Sequence, residues 1–205
     1  MKRNSTFLNF PGRVTVTALT AGLAVLLAGC TQGPQIKVAP IARIQNVSAQ
    51  KIPLHVGLML DRCYCTNSFK YNDGIGDTMI FDFGPVLQQH TISLCQQTFD
   101  QVAVSTNGVV PGGMDAVLTP EAHRYGFAIG AGGGRGYFTV LQQWTLRSAD
   151  NQNLLWMTTV SGQADEGVDK LFQLLFDDLA TKSYRAFQES PEIKLLITKK
   201  SGTAL

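Results

Sequence analysis

Hydrophobic and polar positions divide the chain into a leader, a patternless stretch and a periodic body. Val14 to Gly29 carries no charge, is rich in Ala, Leu, Val and Thr, and follows Lys2, Arg3 and Arg13. A basic stretch followed by an apolar one is the layout of a secretion signal. The run is about 16 residues, short of the ~20 that cross a bilayer as a helix. A cleaved signal over residues 1–29 is therefore expected rather than a permanent span. The small residues Ala28 and Gly29 stand immediately before Cys30, as a signal peptidase requires. Residues 30–51 contain Pro34 and Pro40 and no sustained period, which reads as a tether.

From residue 52 onward the period changes several times. In "IPLHVGLML", Leu54, Val56, Leu58 and Leu60 alternate with His55, Gly57, Met59 and Asp61, the signature of a half-buried strand. Tyr64 to Tyr71 and Thr78 to Phe83 flank the turn signal Asn72-Asp73-Gly74, so an arm or hairpin is expected there. "GPVLQQHTISLCQQTFDQ" opens with Pro85 at a first helical position and sets Leu87, Thr91, Leu94, Cys95, Thr98 and Val102 near one helical face. A short strand "VAVST" follows, closed by Asn107-Gly108, and Pro111-Gly112-Gly113 marks a loop.

Met114 to Ile129 has two alternating stretches, Ala116 with Leu118 and then Tyr125, Phe127 and Ile129, and Pro120 between them implies a bend or an edge. Tyr137 to Arg147 and Leu154 to Ser161 complete an antiparallel meander. Val168, Leu171, Phe172, Leu175 and Leu179 keep helical spacing, and Ser190 before Pro191 caps a short terminal turn through Ile197. The expected fold class is α+β. A mainly antiparallel sheet carries two principal helices on one face, as a two-layer sandwich formed by a single domain over residues 52–205.

Composition adds limits. Of 205 residues, 44% are hydrophobic and 16% charged, which suits one globular core and not a disordered chain. A net charge of +2, partly from the leader, provides no basic face, so nucleic acid is not an expected partner.

Leu27-Ala28-Gly29-Cys30 resembles the lipobox of bacterial lipoproteins. The resemblance implies that Cys30 is the mature N-terminus, carrying a thioether-linked diacylglycerol and an acylated amine. One acyl chain binds a bilayer marginally and two or more hold it stably. Cys30 is then an anchor and not a nucleophile. In the enterobacterial family Asp after the cysteine signals retention at the inner membrane; Thr31 stands here, so the implied location is the outer membrane, facing the periplasm.

Candidate chemistry is sparse. "GAGGGRG", Gly130 to Gly136, lacks the glycine spacing of a dinucleotide site and runs into a strand rather than a helix. It reads as a strand connection or a binding loop in which Gly130, Gly132, Gly133, Gly134 and Gly136 flank Arg135, able to meet an anion. Cys63, Cys65 and Cys95 remain after lipidation, an odd number, and an oxidising compartment allows a disulfide from Cys95 to Cys63 or Cys65. Cys63 to Cys65 is a strained pairing, and Cys-x-Cys lacks the usual metal-site spacing. His55, His90 and His123 fall in no catalytic motif. Ser48-Ala49-Gln50-Lys51 fits Ser-x-x-Lys but sits in the tether, and Asp177 and Asp178 diverge by ~100° on a helix. Neither a cofactor nor a metal is expected. Trp144 and Trp156, with Tyr125, Phe127 and Phe138, either pack in the core or line a lipid or peptide groove.

The order of elements, an early and a closing helix around a long meander, resembles small lipoproteins of the LPS-assembly and YajG types. The tail "LATKSYRAFQESPEIK", Leu179 to Lys194, is similar to the ending of the latter. The resemblance implies a non-catalytic accessory protein joined to the membrane by its N-terminal lipid. Its partner would be an envelope protein complex, a glycolipid or a polysaccharide. A periplasmic hydrolase or transferase, or a structural subunit of a secretion or efflux assembly, is the alternative.

Overall fold

The computed structural model describes residues 41–45, 50–72, 78–129, 136–150, 152–166 and 168–202. The leader, Cys30, most of the tether, and Gly130, Gly132, Gly133, Gly134 and Arg135 lie outside the described residues. Seven strands and four helices are described: β1 (Ile52–Met59), α1 (Arg62–Cys65), β2 (Ser68–Asn72), β3 (Thr78–Asp82), α2 (Gly84–Thr98), β4 (Phe99–Ser105), β5 (Ala116–Ile129), β6 (Gly136–Ser148), β7 (Leu154–Glu166), α3 (Val168–Glu189) and α4 (Pro191–Gly202).

Five strands form a mixed sheet in the order β4-β1-β5-β6-β7, and β2 pairs with β3 as a separate antiparallel hairpin. The long pairings β5–β6 and β6–β7 are antiparallel, so the sheet is mainly antiparallel, as expected. Alternation alone did not reveal that β1 runs parallel to both neighbours, β4 and β5. Periodicity shows which face of a strand is apolar and is silent about the direction of the strand beside it.

Helices cover one face. Ile52, Leu54, Val56 and Leu58 of β1, Ala116 and Leu118 of β5, and Phe138, Val140, Trp144 and Leu146 of β6 point into the core, each at 3% exposure or less. They meet Leu87, Leu94 and Cys95 of α2 and Leu171, Leu175, Phe176 and Leu179 of α3. Each buried Val, Leu, Ile or Phe among them contributes about 1.5–3 kcal/mol of transfer free energy. The hairpin packs at the far end, where Phe69 and Phe81 touch Phe138, and Tyr71 meets Phe127.

Trp144 is fully buried, with its indole N–H donating to Ser183 Oγ at 3.0 Å, and Trp156 stacks obliquely on Phe187. Trp144 is therefore a core residue, and Trp156 is half-buried, packed against the margin of that core.

The change of alternation in β5 has a local cause. Ala122 pairs with Gln142 and Arg124 with Leu141, so His123 is one residue extra and forms a bulge. Before it the even positions face the core; after it Tyr125 and Phe127 do. Pro120 is buried just past Leu118, where the pairing of β5 with β1 stops, so on that side it interrupts no ladder.

The two edges of the sheet differ. On β7 the main-chain N–H of Gln163 donates to Asp178 Oδ2 (2.9 Å), and Lys182 Nζ donates to the carbonyl of Ser161 (3.0 Å). Asp178 and Lys182 are themselves paired at 2.8 Å, so a salt bridge on α3 occupies the polar groups of that edge.

Residues 41–45, within the stretch read as a tether, lie against the helix layer. The amide of Ala42 donates to Ser93 Oγ and its carbonyl accepts from Gln97 Nε2, both on α2. The amides of Arg43 and Gln45 donate to Asp177 Oδ1 and Thr181 Oγ1 on α3. Ala42 is 1% exposed and belongs to the core. This short strap ties α2 to α3.

Candidate functional site

The face of the sheet opposite the helices is open. Along it run Thr139, Leu141, Gln143 and Thr145 of β6 beside Met157, Thr159 and Gln163 of β7, a surface of hydroxyls and amides with few charges. A cleft on this face follows from the parallel strands. Because β4 and β5 run the same way on either side of β1, residues 106–115 must cross back over β1 to join them. Helices fill the other face, and this loop crosses the open one. Val110 sits directly above Gly57, where a Cβ would stand 2.2 Å from a Val110 methyl, so β1 needs glycine at that point.

Between this loop and the β6–β7 turn lies a cleft of about 670 Å3. Met59 and Val117 contribute apolar groups from the sheet, Val110 and Met114 from the loop. Gly108, Gly112 and Gly113 bring bare main chain to the wall, and a Cβ at any of the three would meet nothing within 4 Å. Two carboxylates line the cleft, Asp115 at the foot of the loop and Asp150 in the turn, and Arg147 donates to the carbonyl of Gln152, another lining residue, at 3.1 Å. Asp115 Oδ2 accepts from the amide of His55 and from Lys200 Nζ, both at 2.7 Å, whereas Oδ1 has no partner among the described residues. Burial pushes the Asp115 pKa up, and the His55 amide and the Lys200 ammonium outweigh it, holding the carboxyl below its usual range.

The residues singled out by sequence fall elsewhere. Of the glycine-rich loop only Gly136 is described, as the first residue of β6. Cys63, Cys65 and Cys95 are all free thiols, without the disulfide that an oxidising compartment allows. Cys65 packs its carbonyl against Gly84 at the start of α2, and Cys95 stands eleven residues along that helix, a rise of about 16 Å from Gly84. Cys63 is exposed beside His123, while Cys95 is fully buried. Burial pushes the Cys95 thiol well above its ordinary range.

The three histidines do not converge. His55 lies in β1, His90 is buried in α2, and exposed His123 bonds Gln143 Oε1 through Nε2 at 2.9 Å. Among the described residues no three His, Cys, Asp or Glu side chains come together as metal ligands. Asp177 binds the strap and Asp178 guards β7, which gives each a structural task. Tyr64 forms a buried polar contact with Thr91 (2.6 Å) and donates to Gln142 (3.3 Å), and burial pushes its hydroxyl pKa up.

Sequence reasoning missed the cleft because its wall is glycine, valine and proline. The available signal was the turn chemistry of Asn107-Gly108 and Pro111-Gly112-Gly113 in one connection, which allowed a loop long enough to make a wall.

No protein-family model matches the chain, and no curated protein matches it significantly. Solved structures do. The fold is similar to that of XCC0632 from Xanthomonas campestris, of family DUF330, with a TM-score of 0.52 at 12% identity over 83% of this chain and 100% of that one. Weaker resemblances extend to a PelC dodecamer from Paraburkholderia phytofirmans (TM-score 0.39, 14% identity, 66% of this chain and 86% of that one). They extend also to lipoprotein GNA1162 from Neisseria meningitidis (TM-score 0.37, 16% identity, 66% and 99%). The likeness to the Xanthomonas protein is one of fold. No described helix is long and apolar enough to cross a membrane.

Proposed function

We propose that the protein is a non-catalytic, lipid-anchored accessory of the cell envelope, held at the outer membrane through acyl groups on Cys30 and facing the periplasm. It presents the open face of its sheet to a partner protein. The observation that carries this reading is the side on which the chain reaches the domain. Downstream of the Leu-Ala-Gly-Cys box, the strap at Ala42 to Gln45 joins the helix layer, opposite the open face and its cleft. The eleven residues from Cys30 to Pro40 reach at most about 40 Å when extended. An anchor of that length, attached on the helix side, keeps the domain near the bilayer and leaves the open face available. Two or more acyl chains give the stable attachment that such an arrangement needs.

Two experiments test the reading. Cell fractionation should find the wild-type chain with the outer membrane and Cys30→Ser outside it; a Cys30→Ser chain that still fractionates with the outer membrane contradicts the anchor. A photo-crosslinking residue at Thr145 on the open face should give a discrete adduct in intact cells, and one at Gln96 on α2 should give none. The opposite pattern contradicts the assignment of faces.

A further inference from the structure

β4 ends the five-stranded sheet, with β1 on its inner side and, among the described residues, no strand on its outer side. The Leu60 amide donates to the Ser105 carbonyl at 2.8 Å, and β1 pairs residue by residue with β4 from His55 with Gln101 to Met59 with Ser105. In a ladder of this kind alternate residues turn both main-chain groups toward the same neighbour. Gln101, Ala103 and Ser105 therefore bond β1, and Val102 and Val104 turn their N–H and C=O outward.

Nothing in the strand defends that edge. Gln101 to Val110 contains no charge and no proline, and the register with β1 is unbroken from Gln101 to Ser105. Charges, prolines and bulges are the usual guards of an edge in water. Val104 is 40% exposed, whereas Leu58, its pair on β1, is fully buried. The edge at β7 is different, because it is interrupted twice. Leu155 is an extra residue between the pairs Leu146 with Trp156 and Arg147 with Leu154, and the Asp178–Lys182 pair covers Ser161 and Gln163. A head-to-tail contact of β4 with β7 of another copy is thereby hindered. What remains for self-pairing is β4 on β4, which is related by a twofold axis and closes at two copies.

We propose that two copies of this chain pair through β4, antiparallel, with Ala103 opposite Ala103 on the twofold axis. In this register Val102 and Val104 of one copy exchange main-chain hydrogen bonds with Val104 and Val102 of the second copy, four in all. Their side chains then meet as apolar cross-strand pairs. Asp100, the one charge between Phe99 and Val110, falls opposite Thr106 of the second copy; an axis moved to Val102 would set Val104 against Asp100. The axis is perpendicular to the sheet, so both helix layers and both straps lie on one side, and the two anchors reach the same bilayer. That step rests on the proposed attachment at Cys30. Confinement to a membrane raises the effective concentration of the copies, so a short seam suffices.

Disulfide trapping in native membranes tests the pairing, with copper-phenanthroline as oxidant and the exposed Cys63 and half-buried Cys65 replaced by serine. Opposed residues that do not bond each other stand about 4.5 Å apart at Cα, within disulfide reach. Gln101 is two places from the axis, which sets it about 13 Å along the strand from its mate. Ala103→Cys should therefore give a dimer of twice the chain mass at least tenfold faster than Gln101→Cys. Adding Val104→Lys should lower the Ala103→Cys yield several-fold while the thermal melt stays close to that of the parent. No dimer at position 103, equal rates at 101 and 103, a yield unmoved by Val104→Lys, or an adduct whose mass identifies a different protein overturns the proposal. A chain that does not crosslink yet fractionates with the outer membrane strikes the pairing and leaves the anchor. A crosslinked chain found in the soluble fraction does the reverse.

Discussion

Asp115 shows how much one side chain carries where the topology brings three elements together. It receives the His55 amide of β1, stands at the foot of the crossover loop, and holds Lys200 at the end of α4. Its folded-state pKa is depressed below the ordinary carboxylate range. Its contribution to stability is therefore complete above about pH 4 and is lost as pH falls through the lower folded value. Thermal melts of the wild type should hold steady from pH 7 to 5 and fall below pH 4. Asp115→Asn should start lower and show a shallower acid limb; an acid limb as steep as the wild type's would show that Asp115 does not set it. The thiols divide just as sharply. A charged maleimide should label Cys63 in the native protein and reach Cys95 only on unfolding, as peptide mass mapping will show. Equal labelling of the two would mean that the helix layer is not closed over Cys95.

Among the elements, the strap is the piece that periodicity could not disclose. Ala42 to Gln45 has no repeat to betray it; its four hydrogen bonds depend on Ser93, Gln97, Asp177 and Thr181, scattered over two distant helices. Asp177→Ala removes a buried acceptor used by the Arg43 amide and by Gln173. The loss should be about 1–2 kcal/mol in urea unfolding, whereas an unchanged midpoint would mean that the strap is not bound in solution. The salt bridge at the β7 edge has a different task. Half-exposed pairs of this kind add only about 0.2–1 kcal/mol, so Asp178→Ala with Lys182→Ala should alter stability little. Light scattering should instead report more self-association, because Gln163 and Ser161 then offer free strand groups. No rise in scattering would count against the guarding role.

The elements that were legible share a physical trait: their cause is local. Alternation located β1, β6 and β7, Pro85 and the helical stripe located α2, and Ser190 caps α4 through the Ile193 amide as expected. The switch of alternation between Leu118 and Tyr125 was visible in the chain, but Pro120 drew the reading to itself, and the irregularity is the bulge at His123. What remained hidden depends on neighbours far away in sequence. The parallel pairing of β1, the boundary where α2 gives way to β4 at Phe99, and the separation of Cys65 from Cys95 all belong to this group.

For the molecule as a whole, the same topology explains both faces. Right behind β4 the chain has to return across β1, and since α2 and α3 already occupy the inner layer, the return closes one side of a cleft on the outer layer. The helix side receives the strap that leads back toward Cys30, and the other side keeps the cleft beside the crossover loop. In the proposed reading, this arrangement makes an anchored module with its open face turned away from the anchor. The most direct measurement of that claim is the intact mass of the mature N-terminal peptide from membrane-extracted protein. The account predicts a chain that begins at Cys30 and carries a diacylglycerol and an N-linked acyl group. An unmodified N-terminus at any other residue would contradict it.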